Sequence, residues 1–141
     1  MSKHLYRELK AVMCGALIGE GIGRRVFECR HDPRYVVKIE LRTRSFQNVA
    51  EWEAWEWLRC TKKADWLAPC LSISPSGTFL LQQRVTPLRP KEFPKRIPAF
   101  LTDIKRENFG WLEGRVVCID YGTILSNIEK ASDRLVKANW K

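Results

Sequence analysis

The chain predicts an α+β fold, because short β-rich runs joined by tight turns are interrupted by segments of helical period. Two hairpins and one tryptophan-rich stretch carry this expectation. The first hairpin sets VFECR against YVVKIELR around the turn HDPR, where Asp32-Pro33 punctuates two runs of strand-forming residues. The second joins LAPCLSIS to TFLLQQRV through Pro75-Ser76-Gly77. Between them, Ser45 can cap a helix that runs through FQNVAEWEAWEWLRC.

The remaining elements follow in order. A short N-terminal segment leads through Ala16–Ile18 into the glycine-rich stretch GEGIGRR. On the central helix, Phe46, Val49, Trp52, Trp55, Trp57 and Leu58 cover more than one stripe, which predicts neighbours on more than one side. At least half of the six tryptophans are expected in the core. Four prolines from Pro87 to Pro98 exclude a long helix there. After AFLTDIKRENFGWL, a turn at Glu113-Gly114 leads into the buried-looking strand RVVCIDYG. Ser126-x-x-Glu129 offers a capping box for a last helix, with Ile128, Ala131, Leu135 and Ala138 on one face. No repeat or linker interrupts the chain, so residues 1–141 are expected to form one domain.

Composition narrows the function classes. Six Trp, six Phe and three Tyr in 141 residues are too much packing material for a disordered chain. Apolar runs such as Val116–Ile119 are strand-sized, so no membrane span is expected, and MSKHLYRELK lacks the apolar region of a secretory leader. Cys14, Cys29, Cys60, Cys70 and Cys118 contain no C-x-x-C pair and suggest neither zinc nor a disulfide framework. Most of them are expected as buried thiols in a reducing, cytoplasmic setting, and His4 and His31 as surface residues. The net charge of +9 would draw phosphate-bearing partners, or would simply be a solvated basic surface.

Several residues can carry chemistry. GEGIGR lies between two strands and no Gly-Lys-Ser/Thr follows it, which disfavours both a dinucleotide fold and a Walker loop. A glycine turn between strands can lay backbone N–H groups over phosphates, or be no more than a tight turn. Lys38, between Val37 and Ile39, points either to solvent or toward an acid such as Glu51 or Glu53 on the next helix. Asp103 and Asn108 stand five apart in TDIKREN. Asp120 ends an apolar strand, where a carboxylate can hold Mg²⁺ or form a turn before Gly122.

Read in order, the chain gives G-x-G-x-x-R-x-V-F from Gly19 to Phe27, V-V-K to Lys38, N-x-x-E to Glu51, then D-I-K-R-E-N and D-Y-G. Over roughly residues 16–124 this series resembles the protein-kinase superfamily. The resemblance implies a kinase-like N-lobe at residues 16–85, a five-stranded antiparallel sheet with one helix and a hinge near Gln83–Val85. It implies a drastically reduced C-lobe at residues 86–141, carrying the catalytic loop, D-Y-G and a C-terminal helix. By the same resemblance Gly19, Gly21, Arg24 and Val26 would cover ATP, with Arg24 in place of the third glycine. Lys38 would hold the α- and β-phosphates and pair with Glu51, or failing that Glu53. Gln82 falls at the gatekeeper position, with Gln83 and Val85 beside the nucleotide. Asp103 would orient or deprotonate the attacking hydroxyl, Lys105 would neutralise the γ-phosphate, and Asn108 and Asp120 would hold two Mg²⁺ ions.

The chain also departs from the family pattern. Leu101-Thr102 replaces the usual His-Arg, no Ala-Pro-Glu follows D-Y-G, and the helical subdomain that docks peptides has no counterpart. Such compactness suggests a phage or bacterial protein. One expected function is transfer of phosphate from ATP·Mg²⁺ to a Ser/Thr hydroxyl, to the chain itself or to a small molecule. Another is an inactive kinase fold that binds a protein partner, with Trp52, Trp55, Trp57, Trp66, Trp111 and Trp140 as contact material and a homodimer through the Trp-rich helix. A third, less favoured, is nucleic-acid binding if Arg24, Arg25, Arg42, Arg44, Lys95 and Arg96 cluster.

Overall fold

A computed structural model of the chain describes residues 2–41 and 45–141. It is an α+β structure in two compact units. One comprises the chain up to Val49 with Cys70–Arg84, the other Ala50–Pro69 with Val85–Lys141.

The first unit is built on a five-stranded antiparallel sheet. Its strands are β1 (Cys14–Glu20), β2 (Arg24–Cys29), β3 (Tyr35–Glu40), β4 (Cys70–Ile73) and β5 (Phe79–Gln83), in the order β1-β2-β3-β5-β4. Both expected hairpins are present. At the first turn, the Asp32 carboxylate accepts the Arg34 backbone N–H at 3.0 Å and its guanidinium at 2.7 Å. These bonds hold the Asp32 carboxyl below its ordinary pKa. At the second, Gly77 has φ +77°, and a Cβ there would lie 2.8 Å from Val49 Cγ2, so only glycine closes this turn without strain.

Sequence reading left the N-terminal segment unassigned, yet it forms helix α1 (Lys3–Met13). Ser2 caps it by accepting the Leu5 N–H at 3.1 Å. Tyr6, Leu9 and Met13, at helical spacing, pack on the buried cluster of Cys14, Phe27, Val37, Ile39 and Phe79. Tyr6 stacks on Phe79 with centroids 5.9 Å apart. One face of the sheet is thereby covered, and alternation turns Val36, Lys38 and Glu40 to the other.

Helix α2 (Gln47–Leu58) begins in the first unit and continues into the second. The Glu40 carboxylate accepts both the Ser45 hydroxyl and the Asn48 backbone N–H, so a strand-end acid satisfies an open donor of the helix's first turn. Its buried positions are Asn48, Glu51, Ala54 and Leu58, a single stripe without a tryptophan. The expectation that half of the tryptophans lie in the core is therefore not met. None of the six is buried, and Trp57 is 57% exposed. A narrow buried stripe occupied by small or polar residues leaves the indoles on its flanks.

The second unit holds a sheet of β6 (Thr86–Pro87), β8 (Phe109–Leu112) and β9 (Arg115–Cys118), and a ribbon of β7 (Arg96–Pro98) with β10 (Leu135–Lys137). Glu113 and Gly114 both take positive φ in the two-residue turn between β8 and β9. Gly110 is obligatory, because a Cβ there would fall 2.3 Å from Val85 Cγ2 and 2.9 Å from the Thr86 carbonyl. The proline-rich stretch forms no long helix, only a 3₁₀ turn at Pro90–Glu92 and then β7.

The expected last helix does not form. Gly122–Lys130 is 3₁₀ with a break at Asn127, and Leu135–Lys137 is a strand. Two local interactions explain this. The Ser126 hydroxyl bonds back to the Thr123 carbonyl at 3.2 Å, and Ser132 accepts the Arg134 N–H at 3.2 Å in a turn. Beyond that turn, β7 supplies the backbone partners that a helix would have supplied internally. Cys14, Cys70 and Cys118 are buried free thiols, Cys29 is half-buried and Cys60 exposed, while His4 and His31 are surface residues. Burial raises the pKa of the Cys14 thiol. Among the described residues no helix is long and apolar enough to cross a membrane.

Candidate functional site

In the first unit, register gathers several of the expected residues on one sheet face. Gly19 pairs with Val26, Val26 with Lys38, and Lys38 with Leu80; directly opposed residues of antiparallel strands share a face. Val36 pairs with Gln82 one repeat along the same face. Gln82 is buried there, and Gln83 pairs with Tyr35 on the alternate face. Lys38 is 3% exposed and so does not point to solvent. An ammonium at that depth requires compensation by acceptors or opposite charge.

The glycine turn is short and closed. The Gly21 N–H donates to the Arg24 carbonyl at 2.9 Å, and Arg25 pairs with Glu20 at 3.0 Å across the turn. Ile22, at the tip, is 93% exposed. Arg24 is buried, and its Nη1 donates to Asn48 Oδ1 at 3.1 Å. Asn48 is the residue whose importance the sequence pattern understated. Its Nδ2 lies 3.0 Å from each of the Lys38, Gly77 and Thr78 carbonyls, joining β3 to the β4–β5 turn. The only sequence signal was its place in N-x-x-E ahead of Glu51.

In the second unit hydrogen bonds organise D-I-K-R-E-N and tie it to the residue before D-Y-G. Asn108 Nδ2 donates to Asp103 Oδ2 at 3.0 Å and to the Asp103 carbonyl at 3.2 Å. Lys105 Nζ stands 3.9 Å from Asp103 Oδ1. The Asn108 carbonyl accepts the Ile119 N–H at 2.8 Å, which ties this loop to the residue before Asp120. Asn108 is buried while Asp103 and Asp120 are half-exposed, so two carboxylates open toward solvent from a fixed support. The paired amide N–H₂ leaves the Asn108 oxygen available to a hard cation.

The same unit distinguishes Glu51 from Glu53. Glu53 is exposed, whereas Glu51 is 0% exposed and accepts the Tyr121 backbone N–H at 3.0 Å. Tyr121 is buried with its hydroxyl on the Ala68 carbonyl at 2.7 Å, so the D-Y-G tyrosine anchors the segment after Asp120. Val85 packs with Ala68, Leu112 and Val117 beside Gly110. Leu101 is buried, and Thr102 shares a hydroxyl bond of 2.9 Å with Thr123.

Residues 140 and 141 brace the same loop, a role with no sequence signal beyond an indole. The Lys141 N–H donates to the Ile104 carbonyl at 3.2 Å, and the Arg106 N–H to the Lys141 carbonyl at 3.3 Å. Trp140 Nε1 donates to the Pro94 carbonyl at 2.8 Å, and its ring meets Phe93 and Phe109 edge-on, each at 4.9 Å.

No protein-family model matches the chain, and no curated protein matches it. Among solved structures, the gentamicin–APH(2")-IIa complex is similar over 63% of this chain, at 18% identity and a TM-score of 0.47. The streptomycin–ATP–APH(2")-IIa ternary complex is similar over 63%, at 19% identity and a TM-score of 0.46. The chain spans 30% of the length of either structure.

Proposed function

We propose that the chain is an ATP- and Mg²⁺-dependent phosphotransferase that delivers phosphate to a hydroxyl group. The observation that carries this reading is the Asp103–Asn108 pair, fixed by its own hydrogen bonds and tied through Ile119 to the strand end that bears Asp120. A lysine buried on the face that also carries Gly19 and Val26 supports it.

The donor set fits a hard cation. Among the described residues no cluster of three or more His, Cys, Asp or Glu could hold a metal by itself. One amide oxygen and one carboxylate, completed by phosphate oxygens, is the sparse ligand set that suits Mg²⁺. Asn108 and Asp120 would hold the ion. ATP·Mg²⁺ would supply the transferable phosphoryl group and neutralise its charge.

The roles of the chain's own groups follow from their chemistry. Backbone N–H groups of the Gly19–Gly23 turn, apart from that of Gly21, which is bonded to Arg24, would bind phosphate oxygens, and Lys38 would hold the α- and β-phosphates. Asp103 accepts or orients the proton of the acceptor hydroxyl, and the Asn108 amide fixes which carboxylate oxygen faces it. Lys105 offsets charge on the γ-phosphate. The acceptor is a Ser/Thr hydroxyl, the chain itself or a small alcohol.

Transfer of radiolabelled γ-phosphate with Mg²⁺ tests the proposal. Wild type should label itself or an added acceptor, Asp103→Ala should lower the rate by about a hundredfold or more, and Asp120→Ala should abolish it. Absence of both transfer and thermal stabilisation by ATP·Mg²⁺ in the wild type would overturn it. Stabilisation without transfer would instead support an inactive kinase fold that serves a partner.

A further inference from the structure

Two of the cations first considered for a nucleic-acid surface are committed elsewhere: Arg24 to Asn48, and Arg25 to Glu20. Arg42 and Arg44 lie outside the described residues. The other two, Lys95 and Arg96, lie in the second unit beside further cations.

The arginines of this unit divide into two groups. Arg59 pairs with Glu56 at 3.4 Å, Arg89 with Glu92 at 3.1 Å and Arg115 with Glu113 at 3.7 Å. Arg96, Arg106 and Arg134 have no carboxylate partner among the described residues, and all three gather along the β7–β10 ribbon and its continuation. Arg96 stands directly opposite Lys137, and both are exposed. Like charges in direct cross-strand register cost stability; Arg96 Nη2 turns part of its guanidinium to the Leu135 carbonyl at 2.9 Å, and a bound anion would offset the repulsion that remains.

Backbone bonds set the order of the row. Arg134 bonds to Ala99, Lys137 is opposite Arg96, Ala138 bonds to Lys95, and Lys141 bonds to Arg106. These bonds follow one another along β10 and the residues after it, so the cations succeed each other in a row. Half-buried aromatic rings interleave with it: Arg106 lies 5.8 Å above the Phe93 ring, which Trp140 meets edge-on.

We propose that this ribbon binds single-stranded nucleic acid, with phosphates on Arg134, Arg96, Lys137 and Arg106 and bases beside the half-buried Phe93 and Trp140. A polyanion matches a row of cations that have no carboxylate partner among the described residues, and guanidinium forks suit phosphate oxygens. The half-buried rings beside the row favour nucleic acid over an acidic peptide, because bases bring apolar surface that can lie against them and carboxylates do not.

Fluorescence anisotropy of a short labelled single-stranded oligonucleotide, titrated across NaCl concentrations without ATP, tests the surface. Arg96→Gln combined with Lys137→Gln should weaken binding about tenfold at low salt and reduce the salt slope by about 1.4. The variant loses the Arg96–Leu135 bond together with the like-charge contact, so it should melt close to wild type. Arg59→Gln combined with Arg115→Gln, at positions that are already ion-paired, should leave binding unchanged. Equal affinity and slope for wild type and the ribbon variant would overturn the proposal. So would an equal loss in the paired-arginine control, or binding of a Glu-rich peptide in preference to the oligonucleotide.

Discussion

In the first unit Lys38 is held by sheet register, with strands on both sides and α1 covering the opposite face, whereas in the second Asp103 sits in a loop held by individual bonds. The first arrangement spreads the cost of misplacement over many ladder bonds and a buried cluster. The second concentrates it in a few groups: the Asn108 amide, the Ile119 N–H and the Trp140–Lys141 brace. A lysine that must stay buried is thus anchored in regular structure. The Asp103 carboxylate, proposed to meet a substrate, sits where single contacts set its aim.

This contrast is open to test, beginning with the largest expected effect. Asn48→Ala deprives Arg24 of an acceptor and three carbonyls of a shared donor, in a position with no exposure. Urea unfolding should show a loss of about 3–4 kcal/mol, the range of a broken buried network. A loss below about 1 kcal/mol would mean that the ladder alone holds the first unit.

Trp140→Ala removes a half-buried indole and its bond to Pro94, with an expected loss of about 2 kcal/mol. Its sharper readout is local. Amide exchange at Arg106 should accelerate while exchange in β3 stays slow, and Trp140→Phe should restore part of the protection. Uniform acceleration across both units would erase the distinction drawn here.

The smallest effect belongs to Asp32, whose pKa is lowered by its hydrogen bonds to Arg34. A carboxylate with a depressed folded-state pKa contributes stability above its unfolded pKa and loses it as pH falls through the folded value. Asp32→Asn should therefore flatten the acid limb of the stability profile slightly and leave neutral pH almost unchanged, as befits an exposed pair.

Particular residues show what the sequence disclosed. Asp32-Pro33 and Pro75-Ser76-Gly77 marked both hairpins, because turn chemistry is local. Lys38 is recognisable by type, yet its burial on the face opposite α1 is a tertiary property, and α1 itself is carried by no motif. Its signal was present in Tyr6, Leu9 and Met13, but their partners Phe27 and Phe79 are remote in sequence. The last helix was misread for the converse reason. Ile128, Ala131, Leu135 and Ala138 have helical spacing, but β7 offered the chain a strand partner that no local pattern announces. Asp103 and Asn108 were legible through their motif, whereas the brace from Trp140 and Lys141 is a tertiary contact and left no pattern to read.

The pairing of β7 with β10 also governs the order in which the chain can assemble. β3 must wait for β5, which arrives only after α2 and β4, while β7 must wait for Leu135–Lys137. During synthesis the five-stranded sheet can close while much of the second unit is still unmade, since β5 ends at Gln83. The ribbon, and with it the brace on the Asp103 loop, can form only when the last of these residues has emerged. Non-local pairing of this kind slows folding, because loop closure is paid before the contacts are gained. The brace on the Asp103 loop is therefore among the last of the described contacts to be set in place, after the loop's own bonds to Asn108 and Ile119.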